Sequence, residues 1–222
     1  MLGCRNFYTQ GMFKKPITSR EALRSVIREP SELVIAKEIN FLDEHCKSLI
    51  ALSPFILIAT SNKKGRCDVS PKGDPPGFVQ VLSDKHLAIP DRPGNARLDS
   101  VENILENPHI GLLFVIPGTR ETLRINGKAT IIQDDEVLDK GMVDGKRPTL
   151  AIGVEVQEAF IHCAKAFIRS NLWKSETWPS LEGLPSFAKM LIDHVNAENI
   201  KTDMTEKELD VLLEEDYKKE LY

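Results

Sequence analysis

None of the four cysteines in this 222-residue chain lies close enough to another to form a Cys-x-x-Cys pair. Cys4, Cys46, Cys67 and Cys163 therefore lack the spacing of a zinc knuckle or a dithiol redox motif. No run approaches the roughly 18–20 apolar residues that a membrane helix needs, so no membrane partner is expected. Leu2-Gly3-Cys4 resembles a lipoprotein cleavage site, but it lacks the preceding apolar stretch of a secretory signal. The expectation is a cytoplasmic protein with reduced thiols. Basic charge is not in excess: 29 Lys and Arg stand against 33 Asp and Glu, a net of −4. That balance argues against the concentrated positive face of a nucleic-acid binder. Internal repeats and low-complexity tracts are missing, as are a Gly-x-Gly-x-x-Gly turn, a phosphate loop ending in Lys-Ser/Thr and a His-Glu-x-x-His helix. His45, His86, His109, His162 and His194 have no ligand spacing, so no metal is expected. His162-Cys163 has no identifiable Asn or Asp orienter, which argues against cysteine catalysis.

What is present is an ordinary globular composition, 41% hydrophobic and 28% charged, long enough to bury a core without disulfides. The first residues read as a loose arm. Thr18 and Glu21 form a capping-box pattern that opens a helix with Leu23, Val26 and Ile27 inward. From Ser31, apolar residues at 35, 39, 42, 46, 49 and 50 predict one longer helix that Pro54 ends. The texture then becomes that of short strands. Phe55–Thr60 and Arg66–Ser70 read as a hairpin, followed by strands at Phe78–Leu82 and His86–Ile89. Asp99 and Glu102 cap a short helix. Ile110–Ile116 reads as a central strand, and Thr122–Ile132 runs back with Gly127 in its middle, where a bulge or close approach is expected. A short helix spans Asp134–Val143. Leu150–Val156 and Ala159–Ala166 read as the last two strands. From Ser175 the chain turns helical, with a second capping box at Thr205 and Glu208. Hairpin spacing of this kind predicts an antiparallel α+β barrel, not a doubly wound sheet.

Two segments carry candidate chemistry. Arg66-Cys67-Asp68-Val69-Ser70-Pro71-Lys72-Gly73-Asp74 places Arg66, Ser70 and Lys72 along one strand. Pro90-Asp91-Arg92-Pro93-Gly94-Asn95-Ala96-Arg97-Leu98-Asp99-Ser100 sets two arginines and an Asn before a helix. A helix start offers free N–H groups and a positive dipole end, and arginine adds bidentate bonds to phosphate. One reading is a phosphate cradle. The other is a solvated turn in which Arg92 and Arg97 pair with Asp91, Asp99 and Glu102.

The same segments continue into Asn103-Ile104-Leu105-Glu106-Asn107-Pro108, Gly111-Leu112-Leu113-Phe114, Thr122-Leu123-Arg124-Ile125-Asn126-Gly127-Lys128-Ala129 and His162-Cys163-Ala164-Lys165-Ala166-Phe167-Ile168-Arg169-Ser170. In this order they resemble the pyridoxamine 5′-phosphate oxidase-like proteins, the FMN-binding split barrels, and within them the FMN-dependent branch of unassigned substrate. The resemblance covers roughly residues 18–178. It implies a six-stranded antiparallel split β-barrel with flanking N- and C-terminal helices. The expected organisation is an arm at 1–17, the FMN-binding domain at 18–174 and a helical extension at 175–222 packed on the barrel. It also implies a homodimer with FMN in clefts shared by the two copies.

Carried over by position, the resemblance implies cofactor contacts from Arg66, Val69, Ser70 and Lys72. Arg92, Asn95 and Arg97 would stand at the FMN phosphate, with Asp91 a further cofactor-binding residue. Thr122, with Glu121 beside it, would contact the cofactor from the partner subunit, and Lys165, Arg169 and Trp173 are candidates from the last strands. Trp173 and Trp178 could stack on the flavin, although a Trp near a helix start is more often core or interface. The implied activity is hydride transfer between an unidentified small molecule and flavin N5, with Lys72 tuning the flavin electrostatically and no protein nucleophile. The sequence departs from the true oxidases in lacking any Arg-x-His, since Arg169-Ser170-Asn171 is not that motif. Vitamin B6 oxidation is therefore not the expected activity. A flavin-handling protein without turnover, or a split barrel binding a deazaflavin or haem, are the alternatives.

Overall fold

A computed structural model describes residues 12–198, 200 and 202–222. Most of the expected arm, Cys4 included, lies outside the described residues. The chain divides into two compact units, residues 1–37 and 38–222.

In the first unit, α1 (Arg20–Val26) is capped by Ser19, whose side chain accepts from the Ala22 N–H at 3.1 Å, and α2 (Glu32–Ala36) follows. Neither helix has a buried residue. Leu23, Val26 and Ile27 are exposed, contrary to the inward face that their spacing suggested. The long helix expected from Ser31 is also broken. Ile39 is extended instead, and it exchanges both backbone hydrogen bonds with Ala159, at 3.0 and 2.7 Å. The helix restarts as α3 (Glu44–Leu52), because the Asp43 carboxylate accepts from the Cys46 N–H at 2.8 Å and supplies a new N-cap.

The second unit is built on one antiparallel sheet. Its strands are β1 (Phe55–Ser61), β2 (Cys67–Gly73), β3 (Gln80–Ser83), β4 (His86–Pro90), β5 (His109–Val115), β6 (Thr122–Ile132) and β7 (Ala151–His162). Their order is β2-β1-β5-β6-β7-β4-β3. This corrects the expected six-stranded barrel: the sheet has seven strands and is open, with β2 and β3 at its edges. β3 and β4, both expected as strands, pair as a hairpin on β7.

Alternation sets the two faces. Ile56, Ile58, Ile110, Leu112, Phe114, Leu123 and Ile125 point into the core, where Leu42, Cys46 and Ile50 pack on them from the α3 side. The two strands predicted over 150–166 are one strand and the start of a helix. Gln157-Glu158 lies between the two predicted strands, but opposite it Asn126 pairs with Glu158 and Gly127 with Val156, leaving Gln157 as a bulge. The bulge shifts the inward phase from Val154 and Val156 to Ala159, so an interrupted apolar pattern remains one strand. After His162 the chain enters α6 (Lys165–Ser170).

Two further helices position the loops on one side of the sheet. In α4 (Asp99–Glu106), Ser100, Val101 and Ile104 are buried. Asn103 Nδ2 donates to Thr60 Oγ1 at 3.0 Å, and Asn107 Nδ2 to the Ser61 carbonyl at 3.0 Å, so α4 is pinned to β1. In the loop after α5 (Asp135–Lys140), Arg147 donates to Asp139 at 2.6 Å and also pairs with Asp135. The chain ends in α7 (Phe187–Ala197) and α8 (Glu206–Lys219), and α8 carries the expected Thr205–Glu208 capping box. No helix among the described residues is long and apolar enough to cross a membrane.

Candidate functional site

A cavity of about 590 Å³ opens where β2, the loop before α4 and the loop after α5 converge. It is lined by residues 68–72, 91–101 and 146–150 and by Tyr222. Its size lies within the roughly 300–1,000 Å³ of small-molecule sites.

Three of its walls are held by charge pairs of different character. Lys72 Nζ bonds Asp91 Oδ1 at 2.8 Å, with side chains 24% and 11% exposed. Arg92 Nε bonds Asp74 Oδ2 at 2.6 Å, with side chains 14% and 1% exposed, and Arg92 Nη2 donates to the Gly141 carbonyl at 2.8 Å. These two pairs are shielded from water and fix the positions of their cations. Arg97 differs: it forks onto Asp99 at 2.8 and 3.2 Å, yet its side chain is 72% exposed. Asp99 raises the Arg97 pKa, and Arg97 in turn holds the Asp99 carboxyl below the usual carboxylate range. Solvent screens so exposed a pair, so Arg97 can exchange Asp99 for a better acceptor at little cost.

The backbone around Arg97 is unusual. Ala96 and Leu98 both have positive φ, 57° and 54°, although neither is glycine. Sterics make that conformation costly for residues with a Cβ. The Asn95 carboxamide oxygen accepts from the Arg97 N–H at 3.1 Å and fixes the turn between them. Leu98, not Asp99, is the N-cap of α4, so no side chain caps this helix. An uncapped helix start faces the cavity together with Lys72, Arg92, Arg97, Lys146 and Arg147, opposed by Asp68, Asp91 and Asp99. This donor set suits a phosphate monoester.

Of the residues singled out from sequence, Val69, Ser70, Lys72, Asp91, Arg92, Asn95 and Arg97 meet around this one cavity. Arg66 is exposed ahead of β2 and does not line it. Thr122 is buried at the start of β6, and Lys165 and Arg169 are on α6, which corrects their expected placement on a strand. These three residues also stand off the cavity lining. Trp173 stacks on Phe167 with ring centroids 5.6 Å apart, and its indole N–H donates to the Thr119 carbonyl at 2.7 Å. Trp178 donates to the Leu172 carbonyl at 3.0 Å. Both indoles thus have local structural partners.

Sequence reasoning missed Asp74, Lys146, Arg147 and Tyr222. The basic pair before Pro148 was a visible signal for two of them. Nothing local marked Asp74 as an anchor or Tyr222 as a wall. Burial and the Asp43 carboxylate push the Cys46 thiol up to about 11, so it stays protonated at neutral pH. No group of three or more His, Cys, Asp or Glu that could hold a metal occurs among the described residues.

No curated protein matches the chain. Solved structures similar to it include HupZ of Group A Streptococcus, at 21% identity over 54% of this chain and 92% of that one, TM-score 0.44. An FMN-binding protein of Syntrophomonas wolfei is 11% identical over 53% of this chain and 83% of that one, TM-score 0.43. The heme storage protein HutZ of Vibrio cholerae is 13% identical over 55% of this chain and 94% of that one, TM-score 0.37. The sequence profile named pyridoxamine 5′-phosphate oxidase matches residues 42–163. That match runs from the approach to α3 through the end of β7, more than half of the chain, and it takes in every strand of the sheet and all three cavity-lining segments, leaving out only Tyr222. The chain therefore belongs to the pyridoxamine 5′-phosphate oxidase family.

Proposed function

We propose that the chain binds FMN in this cavity and acts as an FMN-dependent oxidoreductase on a small molecule. The observation that carries the reading is the uncapped, positively lined start of α4, with the exposed Arg97 beside it. A phosphate there would gain helix N–H groups and a guanidinium whose present partner is solvent-screened. Arg92 and Lys72, oriented by their acids, add fixed positive charge on the same wall. When bound, FMN supplies hydride chemistry at its N5, while the protein orients it and tunes its electronics. In this reading Lys72 presents its ammonium along β2, with Asp91 restraining both its position and its net charge. Ser70 and Val69 form the strand wall. Thr122, Lys165 and Arg169 serve the cleft of a second copy, because their own chain keeps them off its cavity lining.

The test is the visible spectrum of the purified protein, followed by heat release and mass analysis of the chromophore. Near-stoichiometric FMN is expected. A colourless protein that does not quench added FMN would overturn the reading, and released haem or deazaflavin would replace the cofactor. Arg97→Ala is expected to weaken FMN binding about 10- to 100-fold, as loss of a hydrogen bond to a charged group does, with the far-ultraviolet circular dichroism unchanged. Wild-type occupancy in that variant would remove Arg97 from the site.

A further inference from the structure

Tyr222 is three residues beyond the end of α8 and comes to lie on the cavity wall. Three contacts hold it there. Its hydroxyl donates to Asp74 Oδ1 at 2.9 Å. The Arg92 guanidinium lies 5.2 Å from its ring centroid, over the ring. Lys146 Nζ donates to its backbone oxygen at 2.8 Å. Tyr222 thereby ties together the strand-side and loop-side walls of one cavity.

Asp74 is the hub of this arrangement. Its side chain is 1% exposed, and its two oxygens accept from different donors, Arg92 Nε and the Tyr222 hydroxyl. A buried carboxylate shared in this way makes a smaller claim on the arginine charge than an exclusive ion pair would. The ring covers one face of the guanidinium, and Gly141 takes Nη2. None of these bonds uses Nη1, so the arginine is locked in place with one donor group left over. A pre-oriented guanidinium loses little entropy when it meets an anion.

We infer that Tyr222 is a positioning residue of the anion site, holding Arg92 through Asp74 and through its ring, and closing that end of the cavity. The inference rests on the reading of the cavity as a flavin phosphate site. It predicts an effect confined to the phosphate-bearing ligand, because the residue acts through Arg92.

The experiment is a flavin-fluorescence titration of the full chain with FMN and with riboflavin, which lacks the phosphate. It compares the wild type with Tyr222→Phe, Tyr222→Ala, Arg92→Ala and the Arg92→Ala/Tyr222→Ala double variant. Tyr222→Ala is expected to weaken FMN about tenfold, as loss of a charge-assisted contact does, and to leave riboflavin unchanged. Tyr222→Phe keeps the ring and should recover most of that loss. The double variant should bind no more weakly than Arg92→Ala alone, because both act through one group. Unchanged FMN affinity in Tyr222→Ala, an equal loss for riboflavin, or losses that multiply in the double variant would each overturn the inference.

A second readout needs no flavin. Asp74 accepts a hydrogen bond from the Tyr222 hydroxyl, and that bond, burial and the nearby Asp74 charge raise the phenol pKa against the opposing pull of Arg92, with Asp144 adding a smaller push. Lys146 is the other cation at this residue. A tyrosine ionising late in an alkaline absorbance titration should disappear in Tyr222→Phe. If even the wild type fails to bind FMN, the flavin reading falls, and this titration alone decides the placement of Tyr222. Ordinary ionisation of Tyr222 would overturn it.

Discussion

Gly127 shows how one residue sets the course of a strand. A Cβ built there would sit 2.1 Å from the Glu155 carbonyl oxygen and 3.0 Å from its carbonyl carbon. Both are backbone atoms, and neither can rotate away. The close approach lies at the register shift between Asn126 and Gly127, where Gln157 is left unpaired in β7. Gly127→Ala is therefore expected to lose about 3 kcal/mol of stability, the upper range for overpacking, measured as a shift in the urea midpoint. Gly94→Ala is the control, since nothing lies within 4 Å of a Cβ there. Equal midpoints for the two variants would mean that Gly127 does not face the Glu155 backbone at close range. The need for glycine was legible in the sequence, as an isolated Gly inside an otherwise β-branched and polar strand. What lay beyond reach was the partner: Glu155 is 28 residues away, and only the register of β6 on β7 brings it there.

At the scale of elements, legibility followed how local the cause was. β1, β2, β5 and β6 have the pattern and turn chemistry that predict them. Asn62 closes the first hairpin by accepting from the backbone N–H groups of Lys64 and Arg66 at 2.9 and 3.1 Å. The helix drawn through Lys37–Asp43 was misread because its apolar spacing is helical, whereas the extension at Ile39 comes from pairing with Ala159 far along the chain. The restart at Asp43 was local and could have been read from its capping chemistry. Asp43→Ala is expected to cost about 1 kcal/mol, the usual worth of an N-cap, in urea unfolding at pH 7. The Cys46 N–H bond is the main cause that lowers the Asp43 pKa. Its folded value lies below the unfolded one, so this stabilisation is complete above the ordinary aspartate value of 3.8 and is lost as pH falls through the depressed folded value. Asp43→Asn keeps an acceptor that does not titrate. It should match the wild type at pH 7 and lose less stability than the wild type on acidification toward pH 3. An identical acid limb for both proteins would mean that the cap does not form. The candidate site has the same division. The Arg92–Arg97 run announces itself, but its enclosure by Lys146, Arg147 and Tyr222 depends on α5 and on the chain beyond α8.

For the molecule as a whole, the outer face of the sheet carries the last argument. Across the strands, register aligns Pro71, Leu57, Leu113, Arg124 and Phe160 in one row, and Val69, Ala59, Gly111, Asn126 and Glu158 in the next. The first row is apolar except for Arg124, whose guanidinium lies 5.4 Å from the Phe160 ring centroid. The second begins with small or apolar residues and ends in a 2.8 Å bond from Asn126 to Glu158. A partly exposed, largely apolar face five strands wide is costly to leave in water and suits a self-complementary contact. A second copy on this face is the proposed partner, and it gives Thr122, Lys165 and Arg169 a cleft to serve. Light scattering should then report about twice the 24.9 kDa chain mass. Leu113→Arg places an unpaired charge in the middle of the first row, where burial is strongly unfavourable. That variant is expected to be monomeric and to lose FMN along with the partner, even though Leu113 does not line its own cavity. A wild-type monomer with full FMN occupancy would show that one chain completes the site alone, and the off-cavity residues would then have no place in it.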